Sequence, residues 1–197
     1  MFVQVIEGHT SDPEGLARHG ETWQERVGPV AIGFVGVTAG ATADGRTITL
    51  ACFESEAAAR KNEALPEQTA WAAELGKYYD GPPTFTESTD IEEIFGGPAK
   101  AAGFVQVMKV RDIDRVVAKE LDGAFEQFKD LRPDLLGSLR VWTGPDSFVE
   151  ANYFESEAAA RAGEKAAMPP EVEALMAKFG EAMANTEFLD LAISQIH

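Results

Sequence analysis

Two hydrophobic rhythms follow one another along the chain. Phe2-Val3-Gln4-Val5-Ile6-Glu7 has the composition of a strand. Ser11-Asp12-Pro13-Glu14 then carries the marks of a helix start: a capping side chain, proline in the first turn, and an acid where the helix dipole favours one. Leu16, His19, Trp23 and Val27 recur at helical spacing, so one face of that helix points at a sheet, and Gly28-Pro29 ends it. The apolar run from Val30 to Val37 predicts a second strand, Asp44-Gly45 a turn, and Thr47 to Phe53 the returning strand of a hairpin. Ser55 stands at the N-cap of an alanine-rich helix with Glu in its first turn, which Pro66 breaks in two; a last strand is expected around Thr84 to Glu87.

The same succession then starts again. Phe2-Val3-Gln4-Val5 returns as Phe104-Val105-Gln106-Val107, and the eight residues from Phe53 to Arg60 return letter for letter as Phe154 to Arg161. The offset is 102 at the first match and 101 at the second, so almost no length separates the copies, although Gly33 pairs best with Gly137 at 104. The second copy has its own helical face in Val117, Leu121, Phe125 and Phe128, and a hairpin from Leu139 to Trp142 and Phe148 to Phe154 turning through Gly144-Pro145-Asp146-Ser147. Ser156 caps a helix interrupted at Pro169-Pro170, and a strand is expected around Phe188 to Ile193. The boundary falls in the small-residue segment 98–103, giving repeats 1–97 and 104–197.

The order β-α-β-β-α-β, twice, is the ferredoxin-like split βαβ arrangement, and it sets the class as α+β. A four-stranded sheet with helices on one face leaves the other face needing cover. Two copies in one chain are expected to bury those faces against each other as an intramolecular dimeric α+β barrel, so the expected state is a monomer that acts as a pseudo-dimer.

Composition narrows the function classes. With 33 acidic against 17 basic residues the net charge is −16, and no Lys/Arg cluster is present to replace phosphate counterions or hold anionic lipid. The expected partners include neither nucleic acid nor membrane. Cys52, the single cysteine, lies in the apolar run Ile48, Leu50, Cys52 and reads as a small core residue; a chain without disulfides fits the cytoplasm. No apolar stretch approaches the roughly 20 residues of a membrane span, and the N-terminus opens directly into a strand. Three scattered histidines and one cysteine offer no metal spacing, and the glycines of 33–40 lie beside the hairpin, not in a phosphate loop. The acids Glu92-Glu93 are expected to be solvated.

The tandem units, the Phe-Val-Gln-Val strand openings and the passage Tyr153-Phe154-Glu155-Ser156-Glu157-Ala158-Ala159-Ala160-Arg161 resemble the dimeric α+β barrel superfamily, and within it the antibiotic biosynthesis monooxygenase-like domains in a two-domain form associated with actinobacterial proteins. That resemblance implies a pocket between the sheet and helices of one unit, without cofactor or metal, for a small hydrophobic or aromatic ligand. Carried onto this chain, it names His19, Asn62, Trp71 and Tyr78 as catalytic or positioning groups, and Gln4, Trp23, Gln106 and Trp142 as substrate-binding candidates. The helix-two histidine of the haem-degrading branch is missing after Trp71, so haem turnover is not expected. The second copy's helix, Glu171 to Phe179, has no Trp, Tyr or His, so the expected pocket lies in the first half. The expected activity is that of a cofactor-independent monooxygenase; the alternative is a non-catalytic or stress-related barrel that binds small molecules.

Overall fold

A computed structural model describes the chain from Met1 to His197 apart from Phe128 and Met168; for residues 124–127, 129, 175, 176, 179 and 193 it describes the backbone alone. The expected helical-face positions Phe125 and Phe128, and Met176 and Phe179 on the last helix, therefore lie outside the described side chains.

In the first repeat the elements are β1 (Phe2–His9), α1 (Pro13–Glu21), α2 (Trp23–Arg26), β2 (Phe34–Ala41), β3 (Arg46–Phe53), α3 (Glu56–Glu63), α4 (Pro66–Leu75) and β4 (Thr84–Ser88). A short β5 (Ile91–Ile94) follows. The second repeat gives β6 (Phe104–Val110), α5 (Arg115–Gln127), β7 (Leu135–Trp142), β8 (Phe148–Phe154), α6 (Glu157–Glu164), α7 (Pro170–Ala182) and β9 (Thr186–Leu191), and the chain ends on β10 (Ile193–Ile196).

Local chemistry sets these boundaries. The Asp12 carboxylate accepts from the Gly15 amide at 2.9 Å and Pro13 takes the first helical position, where a missing N–H costs nothing. Ser55 and Ser156 have the same extended backbone and each accepts from the amide three residues on, Ala58 at 3.2 Å and Ala159 at 3.1 Å. Pro66 opens α4, where it separates that helix from α3. The hairpin turn needs φ of +86° at Gly45, a conformation that favours glycine. The strand expected to start at Val30 starts only at Phe34, because Pro29 fixes a short 3-10 turn there first.

Each repeat contributes four strands in the expected order, but each sheet has five: β10-β2-β3-β1-β4 in one and β5-β7-β8-β6-β9 in the other. The fifth strands were not legible as separate elements. As a result the compact units differ from the sequence repeats. One unit is Met1–Ile91 with Asp190–His197, and the other is Glu92–Leu189, since β5 pairs with β7 of the second sheet and β10 with β2 of the first. The repeats 1–97 and 104–197 and these packed units are thus two different divisions of the chain.

Within the first unit, β3 is the middle strand, antiparallel to β1 and β2, and β10 is antiparallel to β2. Side chains alternate across the sheet. Val3, Val5, Ile48, Leu50 and Cys52 on one face are buried at 5% exposure or less. The other face carries the helices: Phe2 and Phe53 pack with Ala59 of α3, and Phe34 and Ala51 join them. The second unit repeats this with Phe104, Phe154 and Ala160 of α6, joined by Leu135. Among the described residues no helix is long and apolar enough to cross a membrane.

Candidate functional site

Register fixes what lies on the helix-facing side of the first sheet. Ile6 and Ala39 are both partners of Thr49, and Gln4 and Val37 are both partners of Ala51. Cross-strand partners share a face, so Ile6, Val37, Ala39, Thr49 and Ala51 form one floor at the middle of the sheet. All five keep part of their surface exposed, although Thr49 and Ala51 lie on the central strand. The small side chains at Ala39, Thr49 and Ala51, with the exposure this floor keeps beneath the helices, mark it as the candidate cleft of this unit.

Aromatic side chains bound the cleft at both ends. At one end the Trp23 ring tilts onto Phe34 with centroids 4.3 Å apart, and Trp23 Nε1 donates to Gln68 Oε1 of α4 at 2.8 Å. At the other end His19, Trp71 and Tyr78 come together. The His19 ring stacks on Trp71 with centroids 5.3 Å apart and 22° between planes, and lies 5.6 Å from the Tyr78 ring. Trp71 Nε1 donates to Thr22 Oγ1 at 3.1 Å, and that hydroxyl donates to the His19 carbonyl at 2.6 Å, which ties α4 to the end of α1. Tyr78 packs against Gly15, where a Cβ would stand 2.8 Å from its ring, and its carbonyl accepts from Thr10 Oγ1 at 2.6 Å.

His19 Nε2 lies 3.1 Å from the Trp71 carbonyl. A carbonyl only accepts, so Nε2 carries the hydrogen, and in the neutral form of the ring the lone pair is at Nδ1. Asn62 is 2% exposed and its Oδ1 accepts from the Ile32 amide at 3.1 Å, which orients the side chain at the start of β2 and leaves Nδ2 as a donor. Gln4 faces α3, donating to Glu63 Oε1 at 2.5 Å and to Glu87 Oε1 at 3.0 Å. Arg60 bonds to the same Glu87, and its guanidinium holds that carboxyl down at about 2. Gln4 is therefore part of a polar lattice at the rim and not an unengaged amide.

The structure thus brings His19, Trp71 and Tyr78 together, sets Trp23 at the opposite end, and uses Asn62 and Gln4 partly as braces. Gln106 and Trp142 belong to the second unit. Trp142 is 2% exposed within a cluster of Val110, Ile113, Ala118, Phe148 and Met183, and its indole Nε1 has no partner among the described residues. The Arg115 guanidinium lies 4.0 Å above the Trp142 ring.

The floor positions of the second unit are occupied differently. By register, Arg140, Glu150, Asn152 and Ser138 stand where the first unit has Ala39, Thr49, Ala51 and Val37. All four are buried. Arg140 Nε donates to Glu150 at 2.6 Å, its two terminal nitrogens grip Asp122 at 2.7 and 2.8 Å, and one of them reaches Glu92 at 3.3 Å. Glu92, expected to be solvated, is instead part of this ion network. Ser138 Oγ donates to Asn152 Oδ1 at 2.7 Å. Long polar side chains fill the volume that small ones leave open in the first unit. Neither the small floor nor the Arg140 network was picked out from sequence, although the alternation Thr47-Ile48-Thr49-Leu50-Ala51 against Phe148-Val149-Glu150-Ala151-Asn152 carries the signal.

Comparison with solved structures places this arrangement among known folds. A candidate monooxygenase from Fusobacterium nucleatum aligns over 100% of this chain and 93% of its own with a TM-score of 0.76 at 10% identity. A candidate monooxygenase from Lactobacillus acidophilus aligns over 99% and 94% with a TM-score of 0.73 at 11% identity. An anthrone oxidase-like protein aligns over 99% and 92% with a TM-score of 0.63 at 13% identity. No family model matches the sequence, and no curated protein matches it. The shared feature is the fold: the chain has a ferredoxin-like α+β architecture over its whole length in common with the two candidate monooxygenases.

Proposed function

We propose that the first unit is a cofactor-independent monooxygenase that takes a small, flat aromatic or polycyclic compound between its sheet and its helices. One observation carries this reading: a floor of small, partly exposed residues at Val37, Ala39, Thr49 and Ala51 faces a helix layer whose aromatic groups are His19, Trp71, Tyr78 and Trp23. Such a slot matches a planar ligand, with stacking from the rings and few polar contacts to fix orientation.

The chemistry needs one base and an apolar setting. His19 Nδ1 takes a proton from an acidified CH2 group of the ligand, and the Trp71 carbonyl stabilises the imidazolium through Nε2. The carbanion then reacts with molecular oxygen to form a C–O bond. His19 returns its proton to the peroxide, and loss of water leaves a carbonyl: CH2 and O2 become C=O and H2O, with oxygen the oxidant and the ligand the only source of electrons. The Tyr78 hydroxyl, on the ring next to His19, is the donor for a ligand oxygen where negative charge develops, and Asn62 Nδ2 is a donor for an oxygen toward the start of β2. The anthrone oxidase-like protein is named for this type of reaction.

Anthrone, a flat tricyclic ketone with an acidic CH2, is the probe. Oxygen uptake matched to anthraquinone formation, and its loss in His19→Phe, is the expected result. Binding without oxygen uptake overturns the catalytic part and leaves a binding protein; no binding of anthrone or other flat aromatics overturns the reading altogether.

A further inference from the structure

The proposed cleft has a floor as well as a ring of aromatic groups, and the floor contains a polar atom that the chemistry above leaves unused. Thr49 is on the central strand, faces the helices, and is flanked by Ile6 on β1 and Ala39 on β2, with Ala51 next along its own strand on that face. Ile6, Ala39 and Ala51 are apolar, and the fourth neighbour, two residues back along the strand on that face, is the buried Thr47. Thr49 keeps part of its surface exposed, and no described residue hydrogen-bonds to its hydroxyl. A hydroxyl set among mostly apolar neighbours loses part of its hydration, and a ligand atom that pairs with it makes that good.

The second unit shows what happens at this position when the site is closed. Glu150 takes the place of Thr49 and Arg140 the place of Ala39, and the two bond to each other at 2.6 Å. There the central polar group is satisfied from within the unit and Ser138, Arg140, Glu150 and Asn152 are all buried, while Met108, in the place of Ile6, keeps part of its surface exposed. In the first unit neither the partner nor the filling side chain exists.

We propose that Thr49 is a specificity-determining residue of the first-unit cleft, its hydroxyl pairing with a hydroxyl or carbonyl oxygen on the face of a flat ligand that lies against Ala39 and Ala51. The ligand class is therefore an oxygenated polycyclic compound, not a bare hydrocarbon. This inference rests on the binding reading given above. Thr49 touches the ligand and selects it; proton transfer stays with His19.

The test uses two probes of equal shape, 1-naphthol and naphthalene, with tryptophan fluorescence as the readout on the intact chain. In Thr49→Val, which keeps the shape and removes the hydroxyl, the Kd for 1-naphthol rises roughly 5- to 10-fold, as loss of one hydrogen bond implies, and the Kd for naphthalene, which has no polar atom to pair with that hydroxyl, does not rise. Ala39→Leu narrows the floor beside Thr49 and weakens both probes together. Binding of both probes with no difference between them in Thr49→Val overturns the role of Thr49 and leaves the cleft standing. Probes that bind the unchanged protein but ignore Ala39→Leu place the ligand elsewhere and overturn it too. Failure of the unchanged protein to bind either probe overturns both readings.

Discussion

His19 and Trp71 are joined twice: their rings stack 5.3 Å apart, and His19 Nε2 donates to the backbone carbonyl of the same Trp71 at 3.1 Å. One contact holds the plane of the imidazole and the other its tautomer. The histidine of α1 and the tryptophan of α4 therefore act as one unit, and in the neutral ring the lone pair is at Nδ1.

His19→Phe keeps a ring in the stack and removes both nitrogens. Oxygen uptake on anthrone falls to the background rate, a loss of roughly 100-fold or more for a general base. Stability changes by about 1 kcal/mol, the net value of one hydrogen bond. An oxygen electrode and urea unfolding separate the two effects. A variant that keeps its uptake assigns proton transfer to another group.

Asn62 serves the fold and the site through different atoms. Its Oδ1 holds the Ile32 amide, and in Asn62→Ala that buried N–H loses its partner, at a cost of about 1–3 kcal/mol. The same substitution removes Nδ2, so affinity for an oxygenated probe falls in the molecules that remain folded. Urea unfolding reads the first effect and fluorescence titration the second. Unchanged affinity makes Asn62 a brace alone.

How much of this was legible in the sequence depends on the distance over which the signal acts. Caps are local, so Asp12, Ser55 and Ser156 announced their helices, and Pro66 its break. The repeat was plain from Phe53–Arg60 and Phe154–Arg161. The fifth strands were hidden because β10 reads as a continuation of β9, with only Ala192 between them, and its pairing with β2 is set by packing far along the chain. His19, Trp71 and Tyr78 could be named from residue type and resemblance, but no spacing could show that Trp71 turns its indole N–H to Thr22 and its carbonyl to His19. Thr49 gives no signal in the sequence, because a threonine in a strand is ordinary until its partners across the sheet are known.

His9 makes stability depend on pH. Its Nδ1 lies 2.7 Å from Asp80 Oδ2 and its Nε2 2.9 Å from the Asp44 carbonyl. Both partners accept, so both nitrogens carry hydrogen and the ring is an imidazolium. The bond to Asp80 raises its pKa above 6.5, helped by the Asp44 carbonyl. A raised group contributes fully below its unfolded value, and that contribution is lost as pH rises through the folded one. Asp80, held down by His9 and then Ser11, contributes above 3.8 and loses that contribution as pH falls through its lower folded value. The remaining charges at this node, Asp44 and Arg46, pair with each other. Urea midpoints from about pH 5 to about pH 9, spanning histidine titration, are expected to fall on the alkaline side in the natural protein and to lose that fall in His9→Gln. Equal slopes in the two proteins remove His9 as the cause.

The Arg140 network is sensitive in the opposite way to a missing charge. Burial pushes the Glu150 carboxyl up and Arg140 pulls it back, with burial the larger effect. A carboxyl raised in the folded state takes up a proton more readily there than in the unfolded chain, so its contribution to stability declines as pH rises above 4.5. Arg140→Met removes the pull and leaves Glu150, Asp122 and Glu92 facing one another, which costs about 3–5 kcal/mol at neutral pH. Protonation relieves that cost, so the variant recovers stability at about pH 5, and Arg140→Met with Glu150→Gln recovers part of it at every pH because the unpaired buried charge is gone. Urea unfolding of the single and double variants at both pH values gives the comparison. A single variant that is no less stable at neutral pH than in acid shows that removing Arg140 leaves no uncompensated buried charge at Glu150, which overturns the expected cost.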